Sequence, residues 1–97
     1  MKNLSVKHKQ IISEIIKDHK NVYVFGSRAK GSSKKFSDLD LCIKEDISEY
    51  DCEILREKFS NSDLPFKVDV ILYKNTNDSF KKIIDRDAIH ISKFIDV

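Results

Sequence analysis

The sequence is short of several ingredients that define common classes of protein. Its 97 residues include two glycines, one proline, two cysteines and no tryptophan. Cys42 and Cys52 lie outside any C-x-x-C pair, so the thiols are expected to be reduced and no zinc knuckle is predicted. The three histidines are scattered along the chain, which leaves no placed nucleophile–base pair for a catalytic triad.

Long apolar runs and an excess of one charge are also missing. No run approaches the roughly 20 apolar residues of a membrane span, and residues 1–8 lack the apolar core of a signal peptide. The 18 basic and 16 acidic residues give a formal charge of only +2, which is too little to hold nucleic acid by the overall field. We therefore predict one cytoplasmic domain over residues 1–97, without membrane or direct nucleic-acid contacts.

Hydrophobic periodicity predicts alternating helices and strands. Helices are predicted over residues 5–19, from Ser48 to about residue 60, and after a cap at Asn77 or Asp78, with a short helical turn at 27–31. Strands are predicted at 22–25, 38–43 and 66–73. The apolar tail, residues 88–97, is assigned no type. This order favours an α/β (α+β) fold, a small mixed sheet flanked by helices.

Three aspartates occupy the predicted strands. Asp38 and Asp40 share one face of their strand because side chains alternate, while Leu39 faces the core. Asp69 lies between two valines, where a carboxylate needs a cation or hydrogen bonds to offset its desolvation. If the second and third strands are neighbours, the three carboxylates converge, and such hard oxygen ligands suit Mg²⁺ or Mn²⁺.

Both glycines lie within residues 26–31, which indicates a special backbone feature. Gly26 permits close backbone approach, and a helical turn beginning at Ser27 directs N–H groups toward a phosphate. The segment is neither a P-loop nor a Rossmann motif, since it lacks the Lys-Ser/Thr pair of the first and the G-x-G-x-x-G of the second. The residues that follow, through 37, include four cationic side chains and no acid: Arg28, Lys30, Lys34 and Lys35. They would suit a nucleoside triphosphate spread between the cations and the acids.

Gly26-Ser27, ten residues, then Asp38-x-Asp40 and a later Asp69 flanked by valines resembles the nucleotidyltransferase superfamily of the DNA polymerase β fold. The chain is most similar to the minimal nucleotidyltransferases (MNT proteins), with a similarity that covers roughly residues 22–91. Members of that family are about this size. They are usually encoded beside a helical HEPN-domain protein, as the antitoxin of a toxin–antitoxin pair.

For the acids, the resemblance implies a magnesium-dependent transfer of AMP from ATP. Asp38 and Asp40 are expected to bind two Mg²⁺ ions, with Mn²⁺ as a possible substitute. Asp69 is expected to complete the site of the ion that activates the acceptor hydroxyl, and to take its proton. The implied acceptor is a tyrosine of the HEPN partner, which loses its ribonuclease activity on AMPylation.

For the phosphates, the resemblance implies that Gly26 and Ser27 hold the β- and γ-phosphates, with Arg28 and Lys30 near the triphosphate. Lys30 departs from the family, where an arginine is common, and this matters if the grip is bidentate. No second domain is expected after the catalytic residues, in contrast to larger members of the superfamily. A partner protein would therefore supply the missing surface or be the acceptor itself.

Plainer interpretations of the same residues are also open. Asp38 and Asp40 would then form a solvated strand face, Asp69 would pair with Lys67, and the cations would belong to a solvated loop. A second functional hypothesis is a non-catalytic antitoxin that masks a helical partner, with the apolar tail as its contact. A homo- or hetero-oligomer is compatible with either hypothesis.

Overall fold

Helices and strands alternate along the chain, as periodicity predicts. The protein is represented by a computed structural model that describes residues 4–32 and 37–95. The helices are α1 (Val6–Ile15), α2 (Gly26–Lys30), α3 (Glu49–Ser60) and α4 (Asp78–Asp87), and the strands are β1 (Val22–Phe25), β2 (Leu39–Ile43), β3 (Val68–Leu72) and β4 (Ile89–His90). Short 3-10 turns follow β3 and β4.

The four strands form one mixed sheet in the order β3-β2-β1-β4. β1 runs antiparallel to both β2 and β4, whereas β2 and β3 are parallel. Parallel neighbours need a long crossover, and α3 supplies it. The small mixed sheet flanked by helices confirms the predicted fold class.

Side-chain caps account for where three of the helices begin. The Ser5 hydroxyl accepts a hydrogen bond from the amide of His8, and the Ser48 hydroxyl accepts one from the amide of Asp51. The Asn77 side chain accepts a hydrogen bond from the amide of Phe80 at 2.8 Å, so that Asn77, of the two predicted residues, is the cap of α4. Each bond satisfies an amide that the helix leaves unpaired.

The first helix ends four residues earlier than its periodicity predicts. It ends at Ile15, and His19 lies beyond it with its Nδ1 atom 2.8 Å from Oε1 of Glu45. The backbone amides of Lys20 and Asn21 also donate to the Glu45 carboxylate, at 2.7 and 2.9 Å. This contact with a residue distant in sequence turns the chain out of the helix and into β1.

The core lies on one face of the sheet, beneath α1 and α3. The predicted inward orientation of Leu39, Leu41 and Ile43 is confirmed, because all three are buried. Other members of the cluster come from β1, β3, α1, α3 and the chain after β4, among them Val24, Val70, Ile12 and Leu55. Alternation therefore directs Asp40 and Asp69 toward the opposite face.

The apolar tail contributes to this core, so the idea that it is a contact for a partner is wrong for Ile91 and Ile95. β4 pairs with β1, and Ile91 and Ile95 are buried in the cluster beneath the sheet. Residues 96 and 97, also part of the predicted tail, lie outside the described residues. Within the described part of the chain, no helix has the length and apolar character needed to cross a bilayer.

Candidate active site

Two neighbouring strands bring Asp40 and Asp69 together. β2 and β3 are parallel with Asp40 directly opposite Asp69, and residues opposite each other across a parallel pair project from the same face of the sheet. Both aspartates are half-buried and line one cleft of about 460 Å³. The condition set by the sequence, that the second and third strands be neighbours, is met.

Gly26 brings the backbone of another strand end against the same acid. β1 is antiparallel to β2 with Phe25 opposite Asp40, so the chain leaves β1 beside that carboxylate. Gly26 has a φ of +72°, and a Cβ atom built on it would lie 2.5 Å from Oδ2 of Asp40. Only glycine meets both requirements, because it tolerates positive φ and occupies no side-chain volume.

The surroundings of Asp40 destabilise the ionised form of its side chain. Burial raises the pKa of Asp40 above its ordinary value, and the negative charges of Asp69 and then Asp38 raise it further, while Lys67 opposes the shift. Desolvated carboxylates that repel one another are relieved by a cation bound between them. The site therefore has the electrostatics of a cation-binding position.

Asp38 lies close to the other two acids but does not join them. It precedes β2 with an exposed side chain and is not among the residues that line the cleft. Within residues 4–32 and 37–95, no three His, Cys, Asp or Glu side chains form a group able to hold a metal as they stand. The oxygen donors of Asp40 and Asp69 nevertheless fit Mg²⁺ or Mn²⁺, which prefer carboxylates and usually keep several waters.

The predicted helical turn after β1 is present as α2, although it begins at Gly26. Ser27 is half-buried in its first turn, directly after the residue that touches Asp40. The backbone amide of Ser32 donates to the Ser27 carbonyl at 3.0 Å, and Gly31 ends the helix with a φ of +75°. Its positive φ is typical of the glycine that terminates a helix.

The cations of this segment have different surroundings. Lys30 is exposed, with its Nζ 3.9 Å from the carboxylate of Asp87 in α4. Arg28 is only 2% exposed, and its guanidinium contacts Ser37 and Phe66. Lys34 and Lys35 lie outside the described residues. The structure thus brings neither Arg28 nor Lys30 to the walls of the acidic cleft.

Several cleft residues were not predicted as site residues. Phe25 and Phe80 form an edge-to-face pair with ring centroids 5.7 Å apart, and Arg56 reaches the cleft from α3. The sequence predicts Lys67 only as a partner of Asp69, and its Nζ lies 3.5 Å from Oδ1 of that residue. Lys67 was detectable by its strand spacing from Asp69, whereas Phe80 and Arg56 belong to separate helices and carry no local signature.

An open groove of about 820 Å³ between α1 and α3 is larger than the acidic cleft. Its apolar floor comes from Ile11, Ile15 and Ile54, and its rim carries lysines and glutamates of both helices. It contains none of the three aspartates of the motif. Size alone therefore does not identify the site, and the acid pair beside Gly26 does.

A mixed sheet with paired aspartates on adjacent strands, beside a glycine–serine corner that opens a short helix, defines a nucleotidyltransferase domain. The family model described as Polymerase beta, Nucleotidyltransferase matches residues 9–93. The chain therefore belongs to this family. The predicted resemblance to the minimal nucleotidyltransferases is also confirmed.

A relative from Haemophilus influenzae is named "Probable protein adenylyltransferase MntA". It is 42% identical over 87 residues, which cover 88% of this chain and 75% of the relative. A crystal structure of a toxin–antitoxin with AMP-PNP shares the fold, with a TM-score of 0.69 at 18% identity, over 86% of this chain and 71% of that one. The chain is thus a nucleotidyltransferase homologous to a protein adenylyltransferase.

Proposed function

We propose that this protein transfers AMP from ATP to a hydroxyl group of a partner protein, and that the partner is a HEPN-type toxin which the transfer inactivates. The observation that carries the proposal is the pairing of Asp40 with Asp69 across the two parallel strands, with Gly26 against Asp40. A structural role alone does not account for two adjacent half-buried carboxylates that repel each other. A role in binding a charged reaction centre does.

The proposed step is an in-line displacement at the α-phosphate of ATP. The acceptor oxygen forms a bond to the α-phosphorus, the bond from that phosphorus to the bridging oxygen breaks, and pyrophosphate leaves. Asp69 lies beside the cleft and accepts the proton of the attacking hydroxyl. Its side chain is 43% exposed, so an acceptor from outside the chain can reach it.

The remaining motif residues orient the nucleotide. Asp40 and Asp69, with Asp38 turned toward them, would hold Mg²⁺. The bound ion would supply neutralisation of the charge on the attacking and leaving oxygens. Gly26 and Ser27 are the proposed contacts of the β- and γ-phosphates, because backbone amides at that corner are close to the acids. Lys30 is exposed and long enough to contribute a charge to the same phosphates.

The proposed partner follows from the relatives of the chain. A fold neighbour is a toxin–antitoxin in complex with an ATP analogue, and a relative is named as a protein adenylyltransferase. We therefore propose an antitoxin that acts in the cytoplasm on a helical toxin encoded beside it. The masking hypothesis loses Ile91 and Ile95 as contacts, since both are buried in the chain's own core.

The test combines the purified protein, Mg²⁺ and the product of the neighbouring gene with ATP labelled at the α- or the γ-phosphate. Label from the α-position is expected on the neighbour, and none from the γ-position. Asp40→Asn is expected to reduce labelling by about 100-fold or more, as expected when a main electrostatic contact of the transition state is lost.

Asp63→Asn is the matched control, because the substitution makes the same chemical change in an exposed turn away from the cleft. It should label the neighbour as the unaltered protein does. Undiminished labelling by Asp40→Asn would refute the assignment of the site. Rescue of cells from the neighbouring gene product by folded Asp40→Asn would instead support masking.

A further inference from the structure

A buried arginine connects α2 to the residue that precedes Asp38. Arg28 is 2% exposed, although it belongs to a polar segment of the chain. Its Nε and Nη2 atoms both donate to the carbonyl oxygen of Ser37, at 3.0 and 2.7 Å. The guanidinium carbon lies 4.5 Å from the centre of the Phe66 ring. A backbone carbonyl and an aromatic face thus both contact the buried charge.

Burial of the Arg28 guanidinium costs desolvation free energy, which argues that the contact has a function. Burial lowers the pKa of Arg28, and the charge of Asp38 opposes that shift. A buried cation is retained only where hydrogen bonds and nearby charge offset its desolvation. The contact also spans three parts of the fold, because Phe66 precedes β3, Ser37 precedes β2 and Arg28 lies in α2.

The contact lies beside Asp38, the motif aspartate that does not line the cleft. Ser37 is one peptide unit from Asp38, so holding its carbonyl fixes the plane from which the Asp38 side chain departs. The next backbone anchor is the amide of Leu39, which donates to the Lys67 carbonyl at 2.9 Å. Asp38 is therefore held on both sides while its own side chain remains exposed and able to turn.

We propose that Arg28 is a positioning residue, which holds the Ser37 carbonyl so that Asp38 can turn toward Asp40, and that it does not grip the triphosphate. The importance of Asp38 rests on the proposed function, whereas the effect of Arg28 on the backbone does not. An arginine already engaged with Ser37 and Phe66 would have to abandon both contacts to reach a phosphate. Lys30, exposed in the same helix, has no such constraint.

Arg28→Lys tests the proposal, because lysine keeps the charge but cannot donate a planar pair of hydrogen bonds to one oxygen. In the metal-free protein, the amide of Leu39, which donates to the Lys67 carbonyl, is expected to exchange with solvent faster than in the unaltered protein. The affinity for Mn²⁺, measured by calorimetry, should fall about 10-fold, as on loss of a group that orients a metal ligand. The affinity for ATP in the absence of divalent metal should not change.

Arg56→Lys is the matched control for exchange. Arg56 also donates through Nε to a backbone carbonyl, that of Val70 at 2.9 Å. This variant should leave exchange at the Leu39 amide as it is in the unaltered protein. The proposal is overturned if Arg28→Lys weakens metal-free ATP binding while Mn²⁺ affinity and exchange at Leu39 stay unchanged.

A second variant keeps the proposal testable if Arg28→Lys does not fold. Phe66→Leu removes the ring beneath the guanidinium and should change exchange and Mn²⁺ affinity in the same direction, by less. A folded Phe66→Leu protein with neither change contradicts the proposal. Both readouts are independent of AMP transfer, so failure of the proposed function would appear separately, as absence of label from the unaltered protein. If that protein binds no Mn²⁺, exchange at Leu39 alone decides.

Discussion

The Cα of Gly26 lies so close to the Asp40 carboxylate that a Cβ on Gly26 would stand 2.5 Å from Oδ2 of Asp40. The start of α2 and the acid of β2 are therefore in direct contact across the antiparallel pairing of β1 with β2. Gly31, at the other end of α2, has a similar positive φ, but among residues 4–32 and 37–95 no atom lies within 4 Å of the position of a Cβ. The two glycines separate the effect of backbone strain from the effect of crowding.

Gly26→Ala is expected to displace Asp40 and to reduce AMP transfer by about 100-fold, the effect of misplacing a reacting group by about 1 Å. Gly31→Ala carries only the cost of a positive φ, about 1 kcal/mol, or a decrease of about 4–8 °C in Tm. Its transfer rate should stay near that of the unaltered protein. Thermal unfolding and transfer assays on both variants check this, and equal losses of activity would contradict the role of Gly26.

Asp40→Asn is expected to stabilise the metal-free fold while it abolishes transfer. The pKa of Asp40 is higher in the folded than in the unfolded chain, so above both values its ionisation costs stability. That cost disappears as pH falls through the folded pKa. The Tm of Asp40→Asn should therefore exceed that of the unaltered protein by a few degrees at neutral pH, and by less at acid pH.

The comparison variant for this effect is Asp63→Asn, whose Tm should follow that of the unaltered protein at both pH values. Added Mn²⁺ should raise the Tm of the unaltered protein, because a ligand of the folded state alone stabilises it, and should raise that of Asp40→Asn much less. A lower Tm for metal-free Asp40→Asn at neutral pH would show that the carboxylate is structural.

Glu45 makes the fold sensitive to acid. Burial would raise its pKa, but hydrogen bonds from the Asn21 amide, the His19 ring and the Lys20 amide together hold the pKa of Glu45 below its usual value. Its contribution is present above the unfolded pKa and is lost as pH falls through the folded one. Glu45→Gln should cost about 1–3 kcal/mol at neutral pH, the value of hydrogen bonds to a charged group.

Urea unfolding at neutral and acid pH measures this contribution. The difference between Glu45→Gln and the unaltered protein should shrink in acid, where the carboxylate of the latter is protonated. Glu14→Gln changes an exposed glutamate of α1 whose partner, Lys17, lies exposed just after the helix, and it should have little effect. A deficit of Glu45→Gln that does not depend on pH would contradict the electrostatic origin.

Neither cysteine is expected to react while the protein is folded. Cys42 and Cys52 are buried free thiols, and burial raises the pKa of Cys42 to about 11. Because the thiolate is the nucleophile, alkylation by iodoacetamide should be negligible in the native protein and complete in denaturant. Mass spectrometry of both samples measures it. Rapid native labelling of Cys42 would show that the sheet face around it opens.

Local patterns predict the fold around the candidate site well where neighbours in sequence decide the structure. The bounds of β1 follow from its β-branched residues and the glycine that ends it, and the pairing of Asp40 with Asp69 follows once their strands are taken as adjacent. Contacts between distant residues explain the differences. His19 leaves the helix for Glu45, and Arg28 is buried by Phe66. No local period carries that information.

The parallel pairing of β2 with β3 also affects how the site comes into existence. A nascent chain released after α3 would contain Asp38, Asp40 and the glycine–serine corner, but no opposing strand to present Asp69. Parallel pairing across a helix is a non-local event and is slow compared with helix formation. Metal capture by Asp40 and Asp69 together should therefore occur only after that crossover has docked, so that Mn²⁺ binding can serve as a kinetic marker of completed folding.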